Sequence, residues 1–260
     1  MVSNDNKLIK RLQEGKIKTI IFDFDGTLLD IKNPLESAVK EVLVHYKISV
    51  DLELTIKEIG ALLESIQGHP ISKILLQSYE IFKYITALER IPFLKKLRVA
   101  LKIFSKYQSY SEEAALFPIT KELLKVLSES HDLFILSHNK TENIEKHLEK
   151  NDIGNLFKGI YGSDNLPELK PNPEAFDPIL EFYKSPKGEE FLMIGDMPTD
   201  IEAGQEAGFW TIGVASGISK KDILAEFKPD LLIESLSEFL AIVKTENTIS
   251  NVNKSLKIKS

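Results

Sequence analysis

Two carboxylates two positions apart, Asp23 and Asp25, stand in the segment Ile20-Ile-Phe-Asp-Phe-Asp-Gly-Thr-Leu-Leu-Asp30, directly after a run of apolar residues. Acids gathered in one site can hold a hard cation or handle protons. If the extended geometry of the run persists, both side chains point the same way, and Gly26 lets the chain turn at once behind them. The same pair could equally form a turn or cap a following helix. A second acidic segment, Gly195-Asp-Met-Pro-Thr-Asp200, also follows an apolar run, Phe191 to Ile194.

Clustered acids repel one another unless a cation compensates. Asp23, Asp196 and a backbone carbonyl could therefore form the protein's share of an octahedral Mg²⁺ shell. Asp200 also suits the first turn of a helix, where the dipole favours an anion. Ser137, in Ser137-His-Asn139, follows the apolar run Leu133 to Leu136 and offers a hydroxyl and main-chain N–H groups for a phosphoryl oxygen, or a helix cap. Lys170, in Leu169-Lys-Pro-Asn-Pro173, could offset the charge of a nucleophile and a phosphate, or simply be solvated.

Such side chains converge only if the elements carrying them do. Ile17–Phe22, Leu133–Leu136, Gly159–Tyr161, Phe191–Ile194, Thr211–Val214 and Leu231–Ile233 read as strands. Helical patterns fall between them at Thr120–Ser128, Thr141–Glu149, Pro173–Tyr183, Thr199–Ala207 and Lys220–Phe227. That alternation predicts an α/β fold, a doubly wound Rossmann-like parallel sheet whose carboxyl edge collects all four segments. From about Pro34 to Tyr110 apolar residues recur at three- and four-residue steps, with breaks near Lys47–Asp51, Gly68-His-Pro70 and Ile91-Pro92. This predicts an inserted all-helical cap domain of about four helices, joined through Asp30–Asn33 and Ser111–Phe117. The expected organisation is a core of residues 1–32 and 112–244, a cap of 33–111, and a polar, disordered tail of 245–260.

The bulk properties fit one such protein. The chain has 260 residues, 43% of them hydrophobic and 28% charged. A net charge of -6 argues against nucleic acid as a partner. The absence of cysteine removes disulfides, thiolate ligands and a cysteine nucleophile. Neither a signal-peptide core nor a run long enough to span a bilayer is present, so the expected location is the cytoplasm.

In their order and spacing, Asp-Phe-Asp-Gly-Thr27, the strand ending at Ser137, Lys170-Pro-Asn-Pro and Gly-Asp-Met-Pro-Thr-Asp200 resemble the haloacid dehalogenase-like hydrolase superfamily. The likeness is to its phosphoglycolate phosphatase-like branch with a helical cap, over about Ile17 to Leu240. The resemblance implies that Asp23 attacks phosphorus to form an aspartyl-phosphate, and that Asp25 protonates the leaving alcohol and later deprotonates water. It also implies Mg²⁺ held by Asp23, the main-chain oxygen of Asp25 and Asp196, with Asp200 supporting that shell. Ser137, Lys170 and Thr27 would bind the phosphoryl group of a small phosphorylated metabolite.

Gly68-His69-Pro70 resembles the family's cap loop, which makes Gly68, His69 and Lys73 substrate candidates beside the other cap cations Arg90 and Arg98. One departure stands out. The family's second motif often has Asn directly after its Ser or Thr, whereas here His138 intervenes, so no role carries over to Asn139. His138 itself reads as a structural histidine or a substrate contact.

Asp25 argues against carbon–halogen cleavage, because the dehalogenating members lack a matching acid. The expected activity is Mg²⁺-dependent hydrolysis of a small phosphate monoester. The alternatives are a phosphomutase or a pyrophosphatase on the same scaffold, and, in another class, a non-catalytic phosphate-binding protein. No glycine pattern of a P-loop or dinucleotide site follows any strand.

Overall fold

The computed structural model describes residues 6–49, 51, 54, 55, 58, 91–184 and 186–244. Its centre is a six-stranded sheet in the order β3-β2-β1-β4-β5-β6. The strands are β1 Thr19–Phe22, β2 Asp132–Leu136, β3 Phe157–Tyr161, β4 Phe191–Gly195, β5 Trp210–Val214 and β6 Leu231–Ile233. Every pairing is parallel. The fold is α/β and doubly wound, as the alternation of elements predicts.

Side chains of β1 alternate between two cores, as the two-residue period of a strand requires. Ile20 and Phe22 join Leu133, Ile135, Leu192 and Ile194 on one face. Ile21 joins Phe134, Leu136 and Met193 on the other. All four β1 residues are buried, which is why this strand reads as a continuous apolar run rather than an alternating one.

β1 lies between β2 and β4, with Ile20 paired to both Leu133 and Leu192. The chain winds outward from β1 to β3 and then crosses back to β4. The crevice between the carboxyl ends of β1 and β4 is therefore the topological switch point, where open α/β sheets bind ligands.

Three helical features differ from the expected pattern. Lys7–Gln13 forms a helix, capped by the Asn6 side chain and docked through Leu8, Ile9 and Leu12. Its two turns are too short for periodicity to announce. Residues 236–244 are also helical and bury Leu236, Phe239, Leu240 and Val243. The predicted helix Pro173–Tyr183 is instead a 3-10 turn, Pro173–Phe176, followed by a short helix, Asp177–Leu180. Pro178 explains the break, since inside one continuous helix it would lack an N–H and clash with the preceding turn.

Two helices of the inserted segment are described, Lys32–His45 and Phe93–Ser111. They pack together through Ala38, Val39 and Val42 on one and Val99 and Ile103 on the other. Their connections to the sheet run side by side. The Asp30 N–H donates to the Ala115 carbonyl (2.9 Å), the Phe117 N–H donates to the Leu28 carbonyl (3.0 Å), and Leu29 bridges Leu116 antiparallel. Gly68, His69, Lys73, Arg90 and the tail 245–260 lie outside the described residues. Among the described residues no helix is long and apolar enough to cross a membrane.

Candidate active site

The strand order places Asp23 one residue beyond β1 and Asp196 one residue beyond β4, side by side at the switch point. The Asp23 N–H still pairs with the Ile194 carbonyl (2.9 Å), so strand geometry fixes the direction of its side chain. A tight turn follows, in which the Leu28 and Leu29 N–H groups both donate to the Phe24 carbonyl. Gly26 makes that turn possible with φ +87°.

Lys170 neutralises part of the cluster. Its ammonium donates to Asp23 Oδ1 (2.8 Å), Asp200 Oδ1 (2.5 Å) and the Leu136 carbonyl (3.1 Å), so each of its three protons has an acceptor. Burial opposes the charge on Lys170, but Asp200 and Asp23 outweigh it and hold its pKa above the ordinary value. The second oxygen of Asp200 accepts from the Met197 N–H (3.0 Å) at the start of the helix Pro198–Glu206.

Asp196 has only neutral partners for its two oxygens. The Thr27 hydroxyl donates to one (2.9 Å) and the Ile218 N–H to the other (2.8 Å). Burial, and then the neighbouring Asp200, push its carboxyl up to about 7 against those donors. Burial likewise pushes Asp23 well above the usual carboxylate range. Lys170 pulls it down, while Asp200 and Asp196 push it further up.

Three buried acids thus stand beside one ammonium that bonds only two of them, Asp23 and Asp200, and carboxylate oxygens of Asp23, Asp196 and Asp200 lie within 4.8 Å of one another. An all-oxygen donor set with uncompensated negative charge fits a hard divalent cation. The space around Asp196 is close-fitted. A Cβ on Gly26 would come within 2.4 Å of Asp196 Oδ2, and one on Gly217 within 2.0 Å. Gly26→Ala should therefore lower stability by roughly 1–3 kcal/mol, through its positive φ and the displaced carboxylate. Turnover should fall about a hundredfold or more if Asp196 needs its position. Urea midpoints and steady-state rates of the purified variant check both effects.

A cavity lies against these groups. Asp23, Asp25, Ser137, His138, Lys170, Met197 and Ile218 line it from the loops at the sheet edge, its floor. Ile31, Leu35 and Tyr107 line it from the connection and the two inserted helices, its roof. Of the residues expected from sequence, Asp23, Asp25, Ser137, Lys170, Asp196 and Asp200 meet here. Thr27 is fully buried and turned to Asp196 rather than to the open cavity. His138 is buried and lines the cavity. Arg98 is exposed.

Asn139 belongs to the site in spite of the intervening histidine. Its side-chain amide donates to Asp25 Oδ2 (2.9 Å), and its N–H donates to the Ser137 hydroxyl (3.2 Å). The spacing departure concealed it, although a loop can accommodate one extra residue between two side chains that serve one place. Gly217, Ile218 and Tyr107 carried no readable signal, because glycines and apolar or aromatic residues at such spacing read as loop or core.

Comparison with known proteins agrees with this geometry. Residues 20–214 match the family model described as haloacid dehalogenase-like hydrolase. A phosphoglycolate phosphatase of Vibrio parahaemolyticus serotype O3:K6 is 29% identical over 236 residues, covering 89% of this chain and 98% of the relative. The pyrophosphatase PpaX of Listeria welshimeri serovar 6b is 28% identical over 233 residues, covering 89% and 99%. Among solved structures, a haloacid dehalogenase-like hydrolase of Streptococcus pneumoniae has a TM-score of 0.63 at 24% identity, covering 87% of this chain and 98% of that one. The hydrolase YfnB of Bacillus subtilis has a TM-score of 0.65 at 22% identity, covering 88% and 99%. With the family model matching most of the chain and the same fold beneath it, the chain belongs to the haloacid dehalogenase-like hydrolase family.

Proposed function

We propose that the chain is a Mg²⁺-dependent phosphatase that hydrolyses a small phosphate monoester through an aspartyl-phosphate on Asp23. The observation that carries this reading is the pairing of Asp23 with Lys170 at the floor of a cavity that Asp25 also lines. Lys170 holds Oδ1 of Asp23, and no described residue donates to the other oxygen, which is the one that attacks phosphorus. Asp25 gives a proton to the leaving oxygen and takes one from water in the second step, with the Asn139 amide fixing its carboxylate.

Ser137 and Lys170 bind the phosphoryl oxygens, and Thr27 acts through Asp196. Asp23, Asp196 and the main-chain oxygen of Asp25 would hold Mg²⁺, and Asp200 would support them by anchoring Lys170. When bound, the ion would shield the phosphate's charge from the attacking carboxylate. Residues 33–111 act as a cap over a core of 1–32 and 112–244. The paired connections near Asp30 and Ala115 support that division, because both strands of chain leave the sheet at one point. Within the cap, Gly68, His69 and Lys73 are proposed to meet the substrate.

A screen of phosphorylated metabolites with Mg²⁺ tests this. Phosphoglycolate and pyrophosphate head the panel because the named relatives act on phosphate compounds of those two kinds. Orthophosphate release that stops on chelation of Mg²⁺ is the expected result. An isomeric sugar phosphate without orthophosphate would replace the proposal with a mutase, and no product from any member would leave a binding protein.

A further inference from the structure

Among the described residues, three line the cavity's roof, and Tyr107 has the polar side chain beside the apolar Ile31 and Leu35. On the helix Phe93–Ser111 it continues the buried stripe of Val99 and Ile103, four residues to the step. Packing alone would be served by phenylalanine there. Tyr107 is more than nine-tenths buried, and its hydroxyl makes no hydrogen bond to a described residue. The hydroxyl is not among the enclosed polar atoms that lack a partner, so it opens on the cavity, where a ligand can supply one.

The floor and roof have opposite places in an in-line displacement. Asp23 attacks from the floor, so the bond that breaks points away from the sheet edge and toward the roof. A phenol keeps its proton at neutral pH, so it can donate a hydrogen bond there without competing with Asp25 for proton transfer.

We propose that the Tyr107 hydroxyl donates a hydrogen bond to the leaving-group oxygen of the substrate, making it a leaving-group-binding residue. This rests on Asp23 being the nucleophile, as set out above. As the phosphorus–oxygen bond breaks, Asp25 delivers the proton and Tyr107 steadies the charge that has built up before delivery. The contact therefore matters most for poor leaving groups, whose oxygen carries the most charge. It also places the substrate's first alcohol oxygen, rather than a remote part of the molecule, under the cap helix.

The test compares wild type and Tyr107→Phe, as full chains with Mg²⁺, over phosphate esters of graded leaving-group acidity. For alkyl phosphates kcat/KM should fall about tenfold, and for p-nitrophenyl phosphate less than about twofold, so the dependence on leaving-group pKa steepens. An ester with bridging sulfur, a poor acceptor, should be cleaved at similar rates by both proteins. A thermal melt of the variant checks folding. If the variant fails to fold, fluorotyrosine at position 107, which makes the hydroxyl more acidic at nearly the same size, reads the contact instead, and an unchanged dependence on leaving-group pKa would overturn the assignment.

An equal loss across the series would reduce Tyr107 to a packing role and overturn the proposal, as would no loss at all. Failure of the nucleophile reading looks different. In that case Asp23→Asn retains turnover, or wild type releases no orthophosphate from any ester.

Discussion

Asp23→Asn should lower phosphate release by at least about 10⁴-fold while leaving the fold intact. The amide keeps the size of the side chain and an oxygen that can accept from Lys170, so the 2.8 Å contact has a successor. What disappears is the charged oxygen that forms the bond to phosphorus. The substitution also removes one of three buried negative charges. Burial already pushes Asp23 well above the carboxylate range, so the variant should be no less stable than wild type without metal. Two measurements check the prediction together: orthophosphate release from an aryl phosphate, and the mass of acid-quenched protein. Wild type should carry a phosphate adduct during turnover and the variant none. Near-normal turnover in the variant would sink the nucleophile assignment.

Lys170→Met should be the most destabilising single change in the site. Lys170 is buried, as are Asp23 and Asp200 beside it. Methionine fills a similar volume but leaves the Leu136 carbonyl and two carboxylates without their shared donor. Breaking a buried ion network from one side costs about 3–5 kcal/mol, and catalysis should fall with it by about 10³-fold or more.

The sign of the pH dependence follows from the acids left behind. Asp23 and Asp196 already have folded-state pKa values above those of the unfolded chain, the second at about 7. Folding therefore takes up protons between about pH 4 and the folded pKa, and stability falls as pH rises through that window. Without Lys170 the upward shift of Asp23 loses its main opposition, and Asp196 keeps only the Thr27 and Ile218 donors. The stability deficit of the variant relative to wild type should be largest near pH 8 and shrink toward pH 5. Added Mg²⁺ should recover part of it, by about 2.7 kcal/mol at a concentration one hundred times its Kd. Urea titrations at the two pH values, with and without Mg²⁺, measure all of this. A deficit that is unchanged by both pH and Mg²⁺ would show that the acids do not form one electrostatic unit.

Sheet and site differ in how far they could be read in advance. All six strands were legible, because β-branched and aromatic runs bounded by turn residues mark a buried strand locally. The helix Thr120–Ser128 was legible to its ends, while Lys7–Gln13 was too short to show a period. Asp23, Asp25, Ser137, Lys170 and Asp196 could be nominated because each sits just past a strand or just before a helix, and parallel strands share one carboxyl edge. Asn139 could not, since the loop geometry that brings its amide to Asp25 is invisible beside the inserted His138.

By itself, then, the sequence determined the α/β class, the strands, and which acids and lysine would gather at one edge, because those properties follow from local periodicity and from chain order. Only the tertiary structure decided that β1 lies between β2 and β4, and so which carboxylates become neighbours. It alone divided Lys170 between Asp23, Asp200 and Leu136. It also turned Thr27 to Asp196 and brought Tyr107 to the cavity that Asp23 and Asp25 line, from a helix far from both in the chain. These are pairings between segments far apart in the chain, chosen by the packing of whole faces against one another. A pattern of residues in one dimension carries the faces but not the choice of partner.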